Sequence, residues 1–379
     1  MDGDTTRPLQ PLEIGAFSLA TVEFTDHGSY YSRKQKERAL QHVKGVTGNQ
    51  CSLVIVFAHG WRDNADSSSE YFRNFRDYLS QVAFQEQQSS GRKVVGLYLA
   101  WRGESAYPPF SFLTLFGRKD AAETVGANGA SELLLQIEQS VRQSNQDLGA
   151  KCTPPSQLVT MGHSLGGLLI YSALSQIMTE RMLEQKRVPH SPARTFGDLV
   201  VLINPAFEAS RFRTLFELSR EGTYPASQRT ILLVVTSDND ESVRSLFFFG
   251  RFFAKLFEDV PREPEHQVAF DMSRTAVGVY DGFLTHRAVL LSSNPSPERC
   301  TATRPITTTL TTQPNEVAEL PIPPLGGFIL FPLRACPPHA PVIVAAVPES
   351  LVDGHSGIWK SVFQSFIIDF LSWSLNRTP

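Results

Sequence analysis

Gln157-Leu158-Val159-Thr160-Met161-Gly162-His163-Ser164-Leu165-Gly166-Gly167-Leu168-Leu169-Ile170-Tyr171 is the stretch on which the fold turns. Gln157 to Met161 has strand character. From Leu168 onward, Leu168, Leu169, Tyr171, Leu174 and Ile177 recur at helical spacing. Between them lies Gly-x-Ser-x-Gly. A serine at a strand-to-helix corner occupies a tight, strained turn, and glycines two residues before and after it give the backbone room. Its Oγ then projects free of the sheet edge, and the helix that follows aims its N-terminal dipole and free amides at that oxygen. The pentapeptide alone is a weak signal, since a glycine-rich turn with Ser164 as a helix cap has the same letters. The flanking strand and helix give it weight.

Working outward, strands and amphipathic helices alternate. A strand tendency over Phe17 to Phe24 is followed by the apolar run Ser52 to Ala58, which reads as a buried parallel strand. Tyr71, Phe72, Phe75, Tyr78, Leu79 and Val82 then share one helix face. A strand over Val94 to Ala100 and a helix around Leu133, Leu134, Ile137 and Val141 precede the serine corner. After it come a strand at Leu199 to Ile203, a short helix near Phe212 to Leu218, and a strand at Ile231 to Val235. Val342 to Val347 and a terminal helix bearing Trp359, Phe363, Phe366, Ile367, Phe370 and Leu371 complete the pattern. Such alternation predicts an α/β fold with a mostly parallel twisted sheet covered by helices on both faces. Residues 1–50 read as a strand and helix extension of the core, and 51–379 as the main domain.

One region breaks the alternation. The stretch of about 244–341 is far longer than an ordinary connection and reads as an insertion on the catalytic edge, either a lid or a separate packing layer. It begins with a phenylalanine-rich run from Phe247 to Phe257, expected to border the site entrance. It ends, from Cys300 to Pro341, in a threonine- and proline-rich segment that reads as extended and loop-like.

Composition narrows the function classes. Of 379 residues, 41% are hydrophobic and 19% charged, enough to build a sizeable core and too few charges for global disorder. A net charge of −3 without a basic block argues against nucleic acid as a partner. Cys51, Cys152, Cys300 and Cys336 are too scattered for a disulfide framework and include no Cys-x-x-Cys pair for zinc. An acidic start at Met1-Asp2-Gly3-Asp4 lacks the regions of a signal peptide, and no apolar run reaches the roughly 18 residues of a membrane span. The expectation is a soluble protein of a reducing compartment, the cytoplasm. Nothing in the pattern specifies an oligomeric state.

A serine hydroxyl is a weak nucleophile that needs a base, and the base needs a group to fix its tautomer. At an elbow of this kind the chain order is serine, acid, histidine. Thr236-Ser237-Asp238-Asn239-Asp240 follows the strand ending at Val235, on the same sheet edge as Ser164. Asp240 is the expected acid, because a few residues of turn bring a carboxylate back toward the histidine; Asp238 stays open as the alternative. Of nine histidines, His355 lies in the glycine-flanked loop after the last strand, where the base belongs, whereas His266, His286 and His339 fall in the insertion as surface or lid residues. His59-Gly60-Trp61 follows the strand Ser52 to Ala58. The amides of Leu165 and Trp61 are the expected oxyanion donors, each worth about 3 kcal/mol at the transition state. His59 is then a loop-shaping residue.

With these motifs placed, the chain resembles the α/β-hydrolase superfamily of esterases, lipases and thioesterases, from about Ser52 to the C-terminus with the insertion interrupting. Within it the chain is similar to a little-characterised branch of predicted hydrolases. There the His59-Gly60-Trp61 turn, Trp101-Arg102-Gly103, Asn204-Pro205-Ala206-Phe207 and Asp353-Gly354-His355 recur. The resemblance implies an esterase- or lipase-like serine hydrolase acting on a small-molecule or lipid-like ester, with no metal or organic cofactor. An acyltransferase or thioesterase using the same residues, and a non-catalytic binding scaffold, are the alternatives, because this scaffold hosts all of them.

Overall fold

The computed structural model describes residues 11–61, 63, 66–102, 115–240, 264–291, 322–333 and 339–376. Strands β1 (Leu12–Ile14), β2 (Phe17–Phe24), β3 (Ser52–Ala58), β4 (Lys93–Trp101), β5 (Gln157–His163), β6 (Leu199–Ile203), β7 (Leu232–Ser237), β8 (His286–Leu290), β9 (Phe328–Pro332) and β10 (Val342–Val347) form one sheet. Its order is β1-β2-β4-β3-β5-β6-β7-β10-β8-β9. From β2 to β8 every neighbouring pair is parallel, and only the outermost strands, β1 and β9, run antiparallel to their partners.

Parallel strands buried on both faces carry continuous apolar runs, and β3 shows why. Leu53, Ile55 and Phe57 face one layer of helices, while Val54, Val56 and Ala58 face the other. Helices α1 (Arg33–Asn49), α3 (Leu115–Val125), α4 (Ser131–Leu148), α5 (Leu165–Lys186) and α6 (Ala209–Glu221) cover the second face; α7 (Pro264–Ser273) adds Met272 to that core. Helix α2 (Glu70–Ser89), capped by the Ser69 hydroxyl on the Phe72 amide, and α8 (Ser361–Asn376) cover the first face. This is the mostly parallel α/β sheet covered on both faces that the alternation predicts, and it brings the carboxyl ends of β3, β5, β6, β7 and β10 to one edge.

Three expectations change. The insertion contributes strands to the sheet: β8 pairs parallel with β10, and β9 pairs antiparallel with β8. Phe328 and Leu330 of β9 are buried, so a short apolar alternation wins a place in the sheet although the surrounding proline and threonine bias reads as loop. His286, expected on the surface or a lid, is buried in β8. Residues 241–263 and 292–321, including Phe247 to Phe257, lie outside the described residues.

The third change concerns cysteine. Cys51 and Cys152 are joined by a disulfide although they are 101 residues apart in sequence. Each precedes the amino end of one of two adjacent parallel strands, β3 and β5, which brings their Cα atoms to 5.3 Å. Disulfides persist where the surroundings are oxidising, so cysteine usage no longer argues for a reducing compartment. No described helix is long and apolar enough to cross a membrane.

Burial pushes the His286 pKa down from 6.5 to about 4, and the Thr285 hydroxyl lies 2.9 Å from its Nδ1. Burial also lowers His59 and His163. A histidine depressed in the folded state stays neutral while the unfolded chain takes up its proton, so stability falls as pH drops below about 6.5 and levels off only beneath the folded-state pKa, which for His286 is about 4. For His286 the loss is on the order of 3 kcal/mol across that window. Urea unfolding at pH 7 and pH 4 should therefore show a smaller pH-dependent loss for His286→Gln than for the wild type; equal losses would contradict this account.

Candidate active site

Ser164 sits between the last residue of β5 and the first of α5 with φ 57° and ψ −123°. Few non-glycine residues adopt such a backbone, and here it is enforced from several sides. The Ser164 amide donates to the Ile203 carbonyl (3.0 Å), and its own carbonyl accepts from the Leu168 (3.2 Å) and Ala206 (3.1 Å) amides. The glycines are required by contact. A Cβ on Gly162 would stand 2.5 Å from the Gly166 carbonyl oxygen, and one on Gly166 would collide with the carbonyl oxygens of Ala58 and His59. The elbow therefore closes directly against the end of β3.

Three residues from three loops meet at that corner. His355 Nε2 lies 2.6 Å from Ser164 Oγ, and His355 Nδ1 lies 2.7 Å from Asp240 Oδ2. A carboxylate only accepts, so Nδ1 carries the proton, and Nε2 presents its lone pair to the serine O–H. Asp240 is fully buried, whereas the imidazole keeps 18% of its side-chain surface exposed toward solvent. Asp238, the open alternative, points elsewhere: its Oδ2 pairs with Arg287 at 2.6 Å on the surface.

The His355 loop is held by polar side chains that the sequence reading did not assign. Asn204, at φ 44° just beyond β6, donates from Nδ2 to the His355 carbonyl (2.9 Å) and accepts the Ser237 amide at Oδ1 (2.9 Å). Asn239 Oδ1 accepts the Gly354 amide (3.0 Å), and the Ser237 hydroxyl donates to the Val352 carbonyl (2.6 Å). One signal was available for Asn204: it is the first polar residue after a fully apolar parallel strand, at the edge where Ser164 and Asp240 also emerge. Nothing local marks Ser237 or Asn239 as more than turn formers.

On the other side of Ser164 lies the turn after β3. Gly60 packs so closely that a Cβ there would stand 3.0 Å from Ser164 Cβ. His59 is fully buried and stacked against the rings of Tyr98 and Trp101. Its Nε2 accepts the Trp101 amide (3.1 Å), so its Nδ1 donates to the Gly60 carbonyl (2.8 Å). Both ring nitrogens are thus engaged with backbone, and burial holds the ring's pKa below its ordinary value. His59 shapes the turn and has no nitrogen left to act as a base. Because a trans peptide points its C=O and N–H in opposite directions, anchoring the Gly60 carbonyl on His59 turns the Trp61 amide away from that ring. Leu165 opens α5, where first-turn amides have no intrahelical partner. Among the described residues, no group of three or more His, Cys, Asp or Glu is placed to hold a metal ion.

No protein-family model and no curated protein sequence matches the chain. Among solved structures it is similar to an S-formylglutathione hydrolase from Agrobacterium tumefaciens (10% identity over 87% of this chain and 86% of that one, TM-score 0.34). It is also similar to Est1E from Butyrivibrio proteoclasticus (12%, 52% and 74%, TM-score 0.21) and to a Trichoderma reesei cutinase (14%, 62% and 86%, TM-score 0.22). At these values a functional reading rests on the geometry of the chain itself.

The contacts around the elbow glycines rank two substitutions. A Cβ on Gly166 meets rigid backbone, whereas one on Gly167 meets Pro205 Cβ at 3.1 Å and the Gly162 carbonyl at 3.3 Å. Gly166→Ala should lower stability by about 1–3 kcal/mol or more, and Gly167→Ala by clearly less, as read from denaturant midpoints. The reverse order would show that the turn is not as tight as these contacts require.

Proposed function

We propose that this protein hydrolyses carboxylic esters through a covalent acyl-enzyme. The observation that carries the reading is the unbroken chain Asp240–His355–Ser164, with hydrogen bonds of 2.7 and 2.6 Å, ending on a serine in a strained strand-to-helix turn. Ser164 Oγ attacks the ester carbonyl carbon while its proton passes to His355 Nε2. Asp240, accepting from Nδ1, holds the ring in the reactive tautomer and stabilises the imidazolium. The tetrahedral oxyanion is bound by the amides of Leu165 and Trp61, each worth about 3 kcal/mol. As the carbon–alkoxide bond breaks, His355 returns the proton to the departing alcohol and leaves an ester on Ser164. A water molecule, deprotonated by the same imidazole, repeats the sequence and releases the acid. No metal or organic cofactor enters this scheme.

The proposed substrate class is a small-molecule or lipid-like ester. An alcohol or thiol acceptor in place of water makes the same machinery an acyltransferase, and a thioester donor makes it a thioesterase. Comparing water, alcohol and thiol acceptors with one acyl donor separates these activities.

Ser164→Ala should abolish hydrolysis of p-nitrophenyl esters and labelling by a fluorophosphonate probe while leaving the thermal midpoint nearly unchanged. Residues of such a unit each contribute several orders of magnitude in rate, so retention of activity within tenfold of wild type would overturn the assignment. His355→Ala and Asp240→Asn should each remove most activity, and Asp238→Asn, which alters only a surface ion pair, should cost little. If Asp238→Asn proves the more damaging of the two acid changes, the carboxylate is misassigned.

A further inference from the structure

His163, the residue before the nucleophile, is buried and takes no part in the chemistry proposed above, yet both of its ring nitrogens are engaged. Nε2 lies 2.9 Å from the backbone carbonyl of His355, and Nδ1 lies 3.0 Å from the Tyr71 hydroxyl. A carbonyl oxygen only accepts, so Nε2 carries the proton. In a neutral imidazole Nδ1 is then an acceptor, and the Tyr71 hydroxyl must donate to it. The Tyr71–His163 pair therefore grips the chain at the carbonyl of His355.

On this basis we propose that Tyr71 and His163 are positioning residues, a second hydrogen-bonded relay that fixes the backbone of His355 so that its imidazole stays in register with Ser164 and Asp240. The proposal rests on the ester-hydrolase reading for its kinetic consequence, though not for its geometry. Three features fit it. Tyr71 is carried by α2, the helix that covers the opposite sheet face from α5, so the relay ties the histidine loop to an element that supplies none of the three reacting residues. The His355 carbonyl accepts from Asn204 as well as from His163 and thus holds two donors from the ends of two different strands. The rings of His163 and His355 lie 4.9 Å apart. A charge on His163 would therefore oppose the imidazolium that His355 becomes during turnover; burial first, then the neighbouring His355, keeps the His163 pKa well below its ordinary value. Burial likewise raises the Tyr71 phenol above its usual value, so it stays a donor. Misplacing a catalytic group by about 1 Å can reduce rate a hundredfold. Asn204 remains when His163 is removed, so the expected loss is smaller.

The test uses His163→Phe, His163→Gln and Tyr71→Phe in the full chain. His163→Phe should lower kcat for a p-nitrophenyl ester about tenfold with KM unchanged and should slow fluorophosphonate labelling of Ser164 in proportion. His163→Gln, whose amide nitrogen still reaches the His355 carbonyl, should recover most of that loss. Tyr71→Phe should lower kcat about threefold in the wild-type background and not at all in His163→Phe, because the phenol acts through His163. The strongly deshielded NMR signal of the His355 Nδ1 proton should shift in His163→Phe and Tyr71→Phe while the thermal midpoints stay close to wild type. A wild-type protein that fails to label overturns the ester-hydrolase reading, and the proton signal then still decides the positioning claim. That claim is overturned by an unchanged signal in both phenylalanine variants, or by rate losses that only track loss of folded protein.

Discussion

A serine held at φ 57° is uphill by roughly 1–3 kcal/mol, and the arrangement of the site follows from how this chain keeps it there. The strain is offset by hydrogen bonds from the Ser164 backbone to Ile203, Leu168 and Ala206 and by close packing of Gly162 and Gly166 against one another and against the end of β3. Releasing the turn would break those contacts together. The same closeness brings the Gly60 turn against Ser164. The geometry that strains the serine thus also sets the amide-bearing loop beside it.

The parallel sheet supplies the rest by convergence. Five of the strands that end at the carboxyl edge each deliver one part of the site: β3 the Gly60 turn, β5 Ser164, β6 Asn204, β7 Asp240 and β10 His355. Loops are ordinarily the mobile parts of a fold. Here they are stitched to one another by Asn204, Ser237 and Asn239, whose side chains bond to the backbone of neighbouring loops. Such bonds act in a low-dielectric setting where an unpaired group is costly, so they favour one loop arrangement over many.

Three histidines at this edge differ by environment. His59 has both nitrogens committed to backbone and is stacked between two aromatic rings. His163 is committed at both nitrogens as well and is kept neutral by burial. His355 alone combines a carboxylate on one nitrogen, a hydroxyl on the other and partial exposure. Proton transfer needs a lone pair facing a reactive proton donor and room for charge to develop, and the other two rings are buried without that room.

The amino-acid sequence by itself determined the elements whose cause is local. Periods of apolar residues marked β3, β6 and β10 and the helices α2 and α5, because burial on both faces or along one stripe leaves that imprint in any window of the chain. The strand–Gly-x-Ser-x-Gly–helix pattern marked the elbow for the same reason: steric demands at one turn act on adjacent residues. Chain order then placed Ser164, Asp240 and His355 at one edge. Only the tertiary structure decided that Asp240 rather than Asp238 faces His355, that Cys51 meets Cys152, that Phe328–Pro332 joins the sheet, and that Tyr71 reaches His163. Each of these depends on register and twist accumulated across several strands, which bring together atoms far apart in sequence, such as the 115 residues between Asp240 and His355. No local window of sequence carries that information, because the side chains involved are chosen by where the sheet puts them and not by their neighbours along the chain.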